Sequence, residues 1–154
     1  MKNNHRSGAL DVSALHLLHR AGQCAEVLFT NETGKADLTP RQYAILASVA
    51  QNPDISQTGL VEQTGVDRST LADIVKRLVK RGLLNRRRSR SDARAYVVRL
   101  TPEGKAVLVA TKPAARRVED RLLQQVPGSR RDELLAALEA IIGSLGASST
   151  SKAA

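Results

Sequence analysis

Nine basic residues lie between Lys76 and Arg94 (Lys76, Arg77, Lys80, Arg81, Arg86, Arg87, Arg88, Arg90 and Arg94), against a single acid, Asp92. The window therefore carries eight of the nine formal net positive charges of the 154-residue chain. Charge this local suits phosphate binding, because guanidinium and ammonium groups replace the counterions condensed on a nucleic-acid backbone. Just before and into the window, Arg68, Ser69, Thr70, Asp73, Lys76 and Arg77 mix donors and acceptors of the kinds that read base edges. Elsewhere, His16 and His19 are three residues apart. That spacing puts two imidazoles on one helical face, suited to a metal, to a small molecule or simply to packing and dimer-interface polarity, and Arg20 beside them favours an anion; no third metal ligand is evident. Cys24, the only cysteine, has Arg20 one turn before it, which favours thiolate, and Glu26 close by. Its default role at a mid-helix position is that of a small buried hydrophobe.

Other chemistry finds no support. The chain has no Gly-rich phosphate loop, no paired histidine and carboxylate of metalloprotease type, and no nucleophile with a base at motif spacing. We expect neither an enzyme nor a cofactor. With one Phe, two Tyr and no Trp, the chain lacks the stacking platforms of single-stranded nucleic-acid readers, so the basic window points to duplex DNA. One cysteine cannot close an internal disulfide. No stretch approaches the roughly 18 apolar residues of a membrane span, and no apolar leader opens the sequence, so a cytoplasmic protein without a membrane partner is expected.

These groups need elements to hold them. From Asp11 to about Thr30, Leu15, Leu18, Gly22, Ala25 and Phe29 share a helical stripe, with Asp11 or Ser13 as the cap. Thr39-Pro40 starts a second helix to about Ala50, burying Tyr43, Leu46 and Val49 or close neighbours, and Asn52-Pro53-Asp54 ends it. Ser56 caps a short helix ending near Gly65. After a tight turn, Asp67 caps another whose Leu71, Val75 and Leu78 are buried and whose early polar residues remain free; the pair is a helix-turn-helix. Gly82 stops the second of these helices. Residues 83–86 and 95–100 read as two strands around the loop RRSRSDAR, a wing lying along the duplex. Thr101-Pro102 opens a long helix to about Val126, which Pro113 is expected to bend or split. A final helix from Arg130 to about Leu145 presents Leu134, Leu135, Leu138, Ile141, Ile142 and Leu145.

This order, with LTPRQYAIL, VKRGLLNRR, SDARA and VVRLTPEGKAVL at their places, resembles the MarR family of bacterial transcriptional regulators over residues 11 to 146. The most specific pieces are Leu38-Thr39, Arg81-Gly82-Leu83, Asp92 with Arg94, and Leu100 to Gly104. The expected fold is mainly α with a small β-hairpin wing: a winged helix-turn-helix at 39–100 between dimerisation helices at 11–38 and 101–146, with flexible tails at 1–10 and 147–154. The resemblance implies a homodimer on a palindromic DNA site, with ligand control. The exposed apolar faces that the flanking helices would leave in a monomer point to the same dimer. Two-fold symmetry then predicts an inverted repeat, with recognition helices roughly 34 Å apart.

The resemblance also implies that Asp92 and Arg94 brace the hairpin while a tip arginine, Arg88 or Arg90, enters the minor groove; Ala93 stands where the family commonly has arginine. Arg86 completes the wing contacts. It further implies an effector pocket between the dimerisation helices and the winged region, for which His16, His19, Arg20 and Arg41 are the candidates, and phenolic or aromatic carboxylates or their thioesters are the expected effectors. Release of a repressor by such a ligand is the function expected. A thiol-sensing repressor acting through Cys24 and an architectural DNA-coating protein without an effector are the alternatives.

Overall fold

The computed structural model describes residues 13–150. The expected tail at 1–10, the alternative cap Asp11 and the last residues 151–154 lie outside the described residues. Helix α1 (Ala14–Thr33) is capped by Ser13, whose hydroxyl accepts from the His16 N–H, and it ends at Gly34 with φ 47°. Of the expected apolar stripe only Phe29 is buried; Leu15 is 81% exposed and Leu18 43%. The stripe exists, but its N-terminal half has nothing in this chain to pack on. Its C-terminal half lies on a later helix, and Phe29 meets the Tyr43 ring with centroids 5.6 Å apart.

Helix α2 (Pro40–Gln51) starts with a reciprocal capping box. Thr39 accepts from the Gln42 N–H, and the Gln42 side chain accepts from the Thr39 N–H, which satisfies two orphan donors at once. It buries Ile45, Leu46 and Val49, leaving Tyr43 half-buried. Strand β1 (Ile55–Ser56) follows, then α3 (Gln57–Thr64), capped by Ser56 and closed by Gly65 at φ 66°. Helix α4 (Arg68–Lys80) is capped by Asp67 and buries Leu71, Val75 and Leu78, as its periodicity requires.

Strands β2 (Leu84–Arg88) and β3 (Tyr96–Leu100) form the hairpin, but the sheet has three strands rather than two, in the order β1-β3-β2, all antiparallel. Ile55 pairs with Val98, which also pairs with Arg86. A two-residue strand carries no readable period, and Ser56 was legible only as a helix cap. Leu60, Leu71, Leu78, Leu84 and Val98 close the core between sheet and helices, and full burial of each leucine is worth about 1.5–3 kcal/mol.

Helix α5 (Pro102–Leu123) runs unbroken through Pro113, so the expected split does not occur. Pro113 and Val109, whose carbonyl the ring deprives of its partner, are both on the exposed side, where water can serve that carbonyl. A turn at Gly128–Arg130 leads into α6 (Arg131–Thr150). This helix outlasts the expected end at Leu145 and takes in 147–150 of the expected tail, since those small residues include no proline to stop it. Helix α6 packs broadly on no other helix of the described chain. Leu134, Leu135, Ile141, Ile142 and Leu145 on it are exposed.

Candidate nucleic-acid interface

The recognition segment is built on a helix fixed at both ends. At its start, the Asp67 carboxylate accepts from the Thr70 N–H (2.9 Å) and the Ser69 hydroxyl (2.8 Å). The Thr70 hydroxyl, the Thr70 N–H and the Ser69 hydroxyl hold Asp67 down to about 2 from its ordinary 3.8. The Ser69 hydroxyl proton is therefore spent on the cap, leaving its oxygen as an acceptor. At the other end Gly82 takes φ 73°, with its N–H on Val79 O and the Leu83 N–H on Leu78 O, both 2.9 Å. These are the two bonds of a Schellman ending, and Gly82 supplies the left-handed residue it needs. Between these ends Arg68, Ser69, Asp73, Lys76 and Arg77 are exposed and Thr70 is half-exposed.

The end of α4 is welded to the start of α5. The Thr101 hydroxyl donates to Gly82 O at 2.6 Å and accepts from the Gly104 N–H at 2.9 Å, while the Thr101 N–H reaches Leu83 O at 3.2 Å. Gly104 lies so close to Leu83 that a Cβ there would fall 2.0 Å from the Leu83 carbonyl oxygen. The pieces Arg81-Gly82-Leu83 and Leu100 to Gly104, separate in sequence, are thus two halves of one joint that sets where the wing leaves the helix.

In the wing Arg86, Arg88, Arg90, Asp92 and Arg94 are all exposed. Bracing by Asp92 takes a different form from the one expected. Its carboxylate accepts from the Arg94 main-chain N–H at 2.9 Å, and its carbonyl accepts from the Ala95 N–H at 3.0 Å; no ion pair with the Arg94 guanidinium forms among the described residues. A turn of this kind needs only the carboxylate beside a nearby N–H, so the arginine side chain is left free. The two candidates for the tip also differ. Arg88 donates to Ala93 O at 2.5 Å and lies 5.3 Å from the Tyr96 ring centroid, while Arg86 covers that ring at 4.0 Å. Arg90 makes no hydrogen bond among the described residues and lies in the loop between the two strands.

The ion pair that does tie the wing down joins Arg99 of β3 to Asp54, with both nitrogens of the fork engaged on the two carboxylate oxygens. Asp54 has φ 66°, a left-handed backbone that aspartate tolerates better than most residues. The Arg99 hydrogen bond, then the charges of Arg99, Arg90 and Arg87, hold the Asp54 carboxyl below its ordinary value, and Asp54 raises Arg99 in return. Sequence reasoning missed this pair, treating Asp54 as part of a helix stop. The alternation of β3 places Arg99 outward, but nothing local announces a partner 45 residues earlier.

The residues considered for a ligand lie around α1. His19, Arg20 and Arg41 are exposed and His16 is half-exposed; no hydrogen bond joins them, and Arg20 donates to Gln23 at 3.2 Å. Arg20, Cys24, Glu26, Val27 and Asn31 are among the residues lining an open depression along α1, which includes Arg20 but not the two histidines or Arg41. Cys24 is exposed rather than buried, because it lies on the part of α1 that this chain does not cover. Among the described residues no three His, Cys, Asp or Glu gather as a metal site, and no helix is long and apolar enough to cross a membrane. At the far end of α1, Glu32 is held below its ordinary value by Arg117 (3.0 Å) and Arg121 (2.7 Å) of α5, a tie that sequence reasoning also missed.

Comparison with known proteins places these features among relatives. The family model described as MarR family matches residues 38–96. The transcriptional regulator HosA of Escherichia coli O111:H- is 32% identical over 124 residues, covering 80% of this chain and 90% of that protein. The transcriptional repressor CouR, solved bound to a 23-mer DNA duplex, superposes with a TM-score of 0.79 at 33% identity, covering 88% of this chain and 96% of that one. The PcaV transcriptional regulator of Streptomyces coelicolor, solved with its natural ligand, gives a TM-score of 0.83 at 28% identity, with the same two shares.

Proposed function

Because this chain belongs to the MarR family, we propose that it is a ligand-responsive transcriptional repressor that binds an inverted-repeat duplex as a homodimer and is released by a small aromatic or phenolic carboxylate or its thioester. The observation that carries this reading is the joint at Gly82, Thr101 and Gly104. It holds a helix with an exposed polar face at a fixed angle to an arginine-bearing hairpin. Helix and hairpin thereby act as one rigid reader, the helix for the major groove and the hairpin for the backbone and minor groove. Within it, Ser69 and Thr70 are assigned to base edges, with Arg68 and Asp73 beside them. Lys76, Arg77, Arg86 and Arg94 are assigned to phosphates. Arg90 is preferred over Arg88 for the minor groove because the Arg88 guanidinium is already engaged on Ala93.

The dimer is supported by the apolar surface left open on α1 and α6, including Leu15, Val27, Ile142 and Leu145. A patch of this kind calls for a protein partner, and a second copy offers the same surface in return. That copy would also wall the depression on α1, which makes Arg20 its candidate for an acidic effector; His16, His19 and Arg41 are further candidates outside that depression. The solved structures of PcaV with its natural ligand and of CouR with DNA support both halves of the reading. Selection of binding sites from random duplex tests it: an inverted repeat is expected, with a specificity ratio of roughly a thousandfold or more. Uniform, salt-sensitive binding to every duplex would identify an architectural protein instead. Thermal-shift screening against aromatic acids and their thioesters then seeks the effector, since a ligand selective for the folded dimer raises its stability.

A further inference from the structure

Arg81 belongs to the basic window by sequence, yet its guanidinium is spent inside the protein. It donates to the main-chain carbonyl of Asp37 at 2.7 Å and to that of Ala36 at 3.3 Å. Those carbonyls lie in the connector between α1 and α2, where Gly34–Ala36 forms a single tight turn and Asp37 takes φ 47°. Arg81 itself is the C-cap of α4, inside its Schellman ending, and the next two residues, Gly82 and Leu83, are bonded to Thr101. Its main chain is therefore among the most restrained in the interface, and its side chain projects from that fixed point onto the connector. A planar fork that donates to two carbonyls resists rotation in a way a point charge does not.

We propose that Arg81 is a positioning residue for DNA recognition: by gripping the connector it fixes the orientation of α4 relative to α1, and it makes no phosphate contact. The proposal rests on the DNA-binding reading above. Two consequences separate Arg81 from its basic neighbours. Its loss removes no counterion-releasing contact, so the salt dependence of binding stays as it was. It also spoils the placement of base-reading side chains, so the loss falls on the specific duplex.

The test compares the wild type, Arg81→Met and Arg81→Lys on an inverted-repeat duplex selected with the wild type and on a random duplex of equal length, across salt concentrations. Arg81→Met keeps the aliphatic stem and removes the donors; Arg81→Lys keeps the charge without the planar fork. We expect Arg81→Met to bind the selected duplex about tenfold or more weakly, the scale of a lost charged hydrogen-bond pair, with random-duplex affinity and salt slope unchanged and no rescue by Arg81→Lys. A slope lowered by about one per subunit with equal loss on both duplexes, or rescue by Arg81→Lys, would identify a phosphate contact and overturn the proposal. Undiminished binding of the selected duplex by Arg81→Met overturns it too. If thermal unfolding finds Arg81→Met unfolded, Arg81→Lys decides by the same comparison. If the wild type selects no inverted repeat, the operator-binding reading fails and the proposal falls with it, an outcome distinct from the other two.

Discussion

Replacing Gly104 with alanine sets two opposed effects against each other. Gly104 is the third residue of α5, and by helix propensity alone alanine there would stabilise by up to about 1 kcal/mol. The structure predicts the opposite sign. The added methyl would sit 2.0 Å from the Leu83 carbonyl oxygen and 2.9 Å from its carbon, where an ordinary contact is about 3.5 Å. Both partners are main chain, so no side chain can swing aside, and α5 must withdraw from the start of β2 by about 1 Å or more. Overpacking of this kind costs about 1–3 kcal/mol. The withdrawal also stretches the bonds of Thr101 to Gly82 O and Leu83 O, each worth about 1 kcal/mol. Set against the propensity gain, the net loss is about 2–4 kcal/mol, a fall in Tm on the order of 10 °C for a chain of this size. Urea unfolding at one fixed subunit concentration measures it, because the stability of the proposed dimer would depend on concentration. A Gly104→Ala protein as stable as the wild type, or more so, would refute the close approach and with it the rigid joint on which the reader geometry depends.

Four further outcomes are expected. Asp67 has its pKa depressed to about 2, so its contribution to stability is complete above its unfolded value near 3.8 and is lost as pH falls through about 2; Asp67→Asn, which still caps, should flatten the acid limb of stability over that window, and an unaltered limb would rule the linkage out. Arg90→Ala should weaken operator binding and lower the salt slope by about one per subunit, while Ser69→Ala should shift base preference in a binding-site selection and leave the slope alone; the reverse pattern would exchange their roles. Ile142→Glu places a charge on the open face of α6 and should convert a dimer to monomer or unfolded chain in sedimentation, whereas an unchanged dimer would locate the interface elsewhere. Cys24→Ser should release DNA under peroxide as the wild type does, and a lost response would favour the thiol-sensing alternative.

The divide between what could and could not be read from the sequence follows the range of the forces involved. Capping and stop signals act over three to five residues, so Thr39-Pro40 as a helix start, Asp67 as a cap and Gly82 as a stop were legible as local grammar. So were the buried stripes, since helical period alone puts Leu71, Val75 and Leu78 on one side. Charge is different, because residue type gives its sign and nothing about its partner. The basic window reads as one phosphate-binding patch, yet Arg81 is committed to a connector 44 residues away and Arg88 to its own hairpin. Asp54 and Arg99 were invisible as a pair for the same reason, as was the hold of Arg117 and Arg121 on Glu32.

A run of arginines therefore overstates the number of free cations at an interface, and the correction has a direction. Engaged guanidiniums still contribute field at long range, but they release fewer counterions because they cannot close on a phosphate without breaking an internal bond. Of the nine basic residues in the window, Arg81 and Arg88 are hydrogen-bonded within the described chain. The slope of log affinity against log salt should accordingly be smaller than nine contacts per subunit would give, and smaller by about two units per subunit from these residues alone. A measured slope at the full value would mean that DNA pulls both guanidiniums from their internal partners on binding. In that case the joint and the connector would loosen as the complex forms, the reverse of the rigid reader argued from Thr101, Gly104 and Arg81.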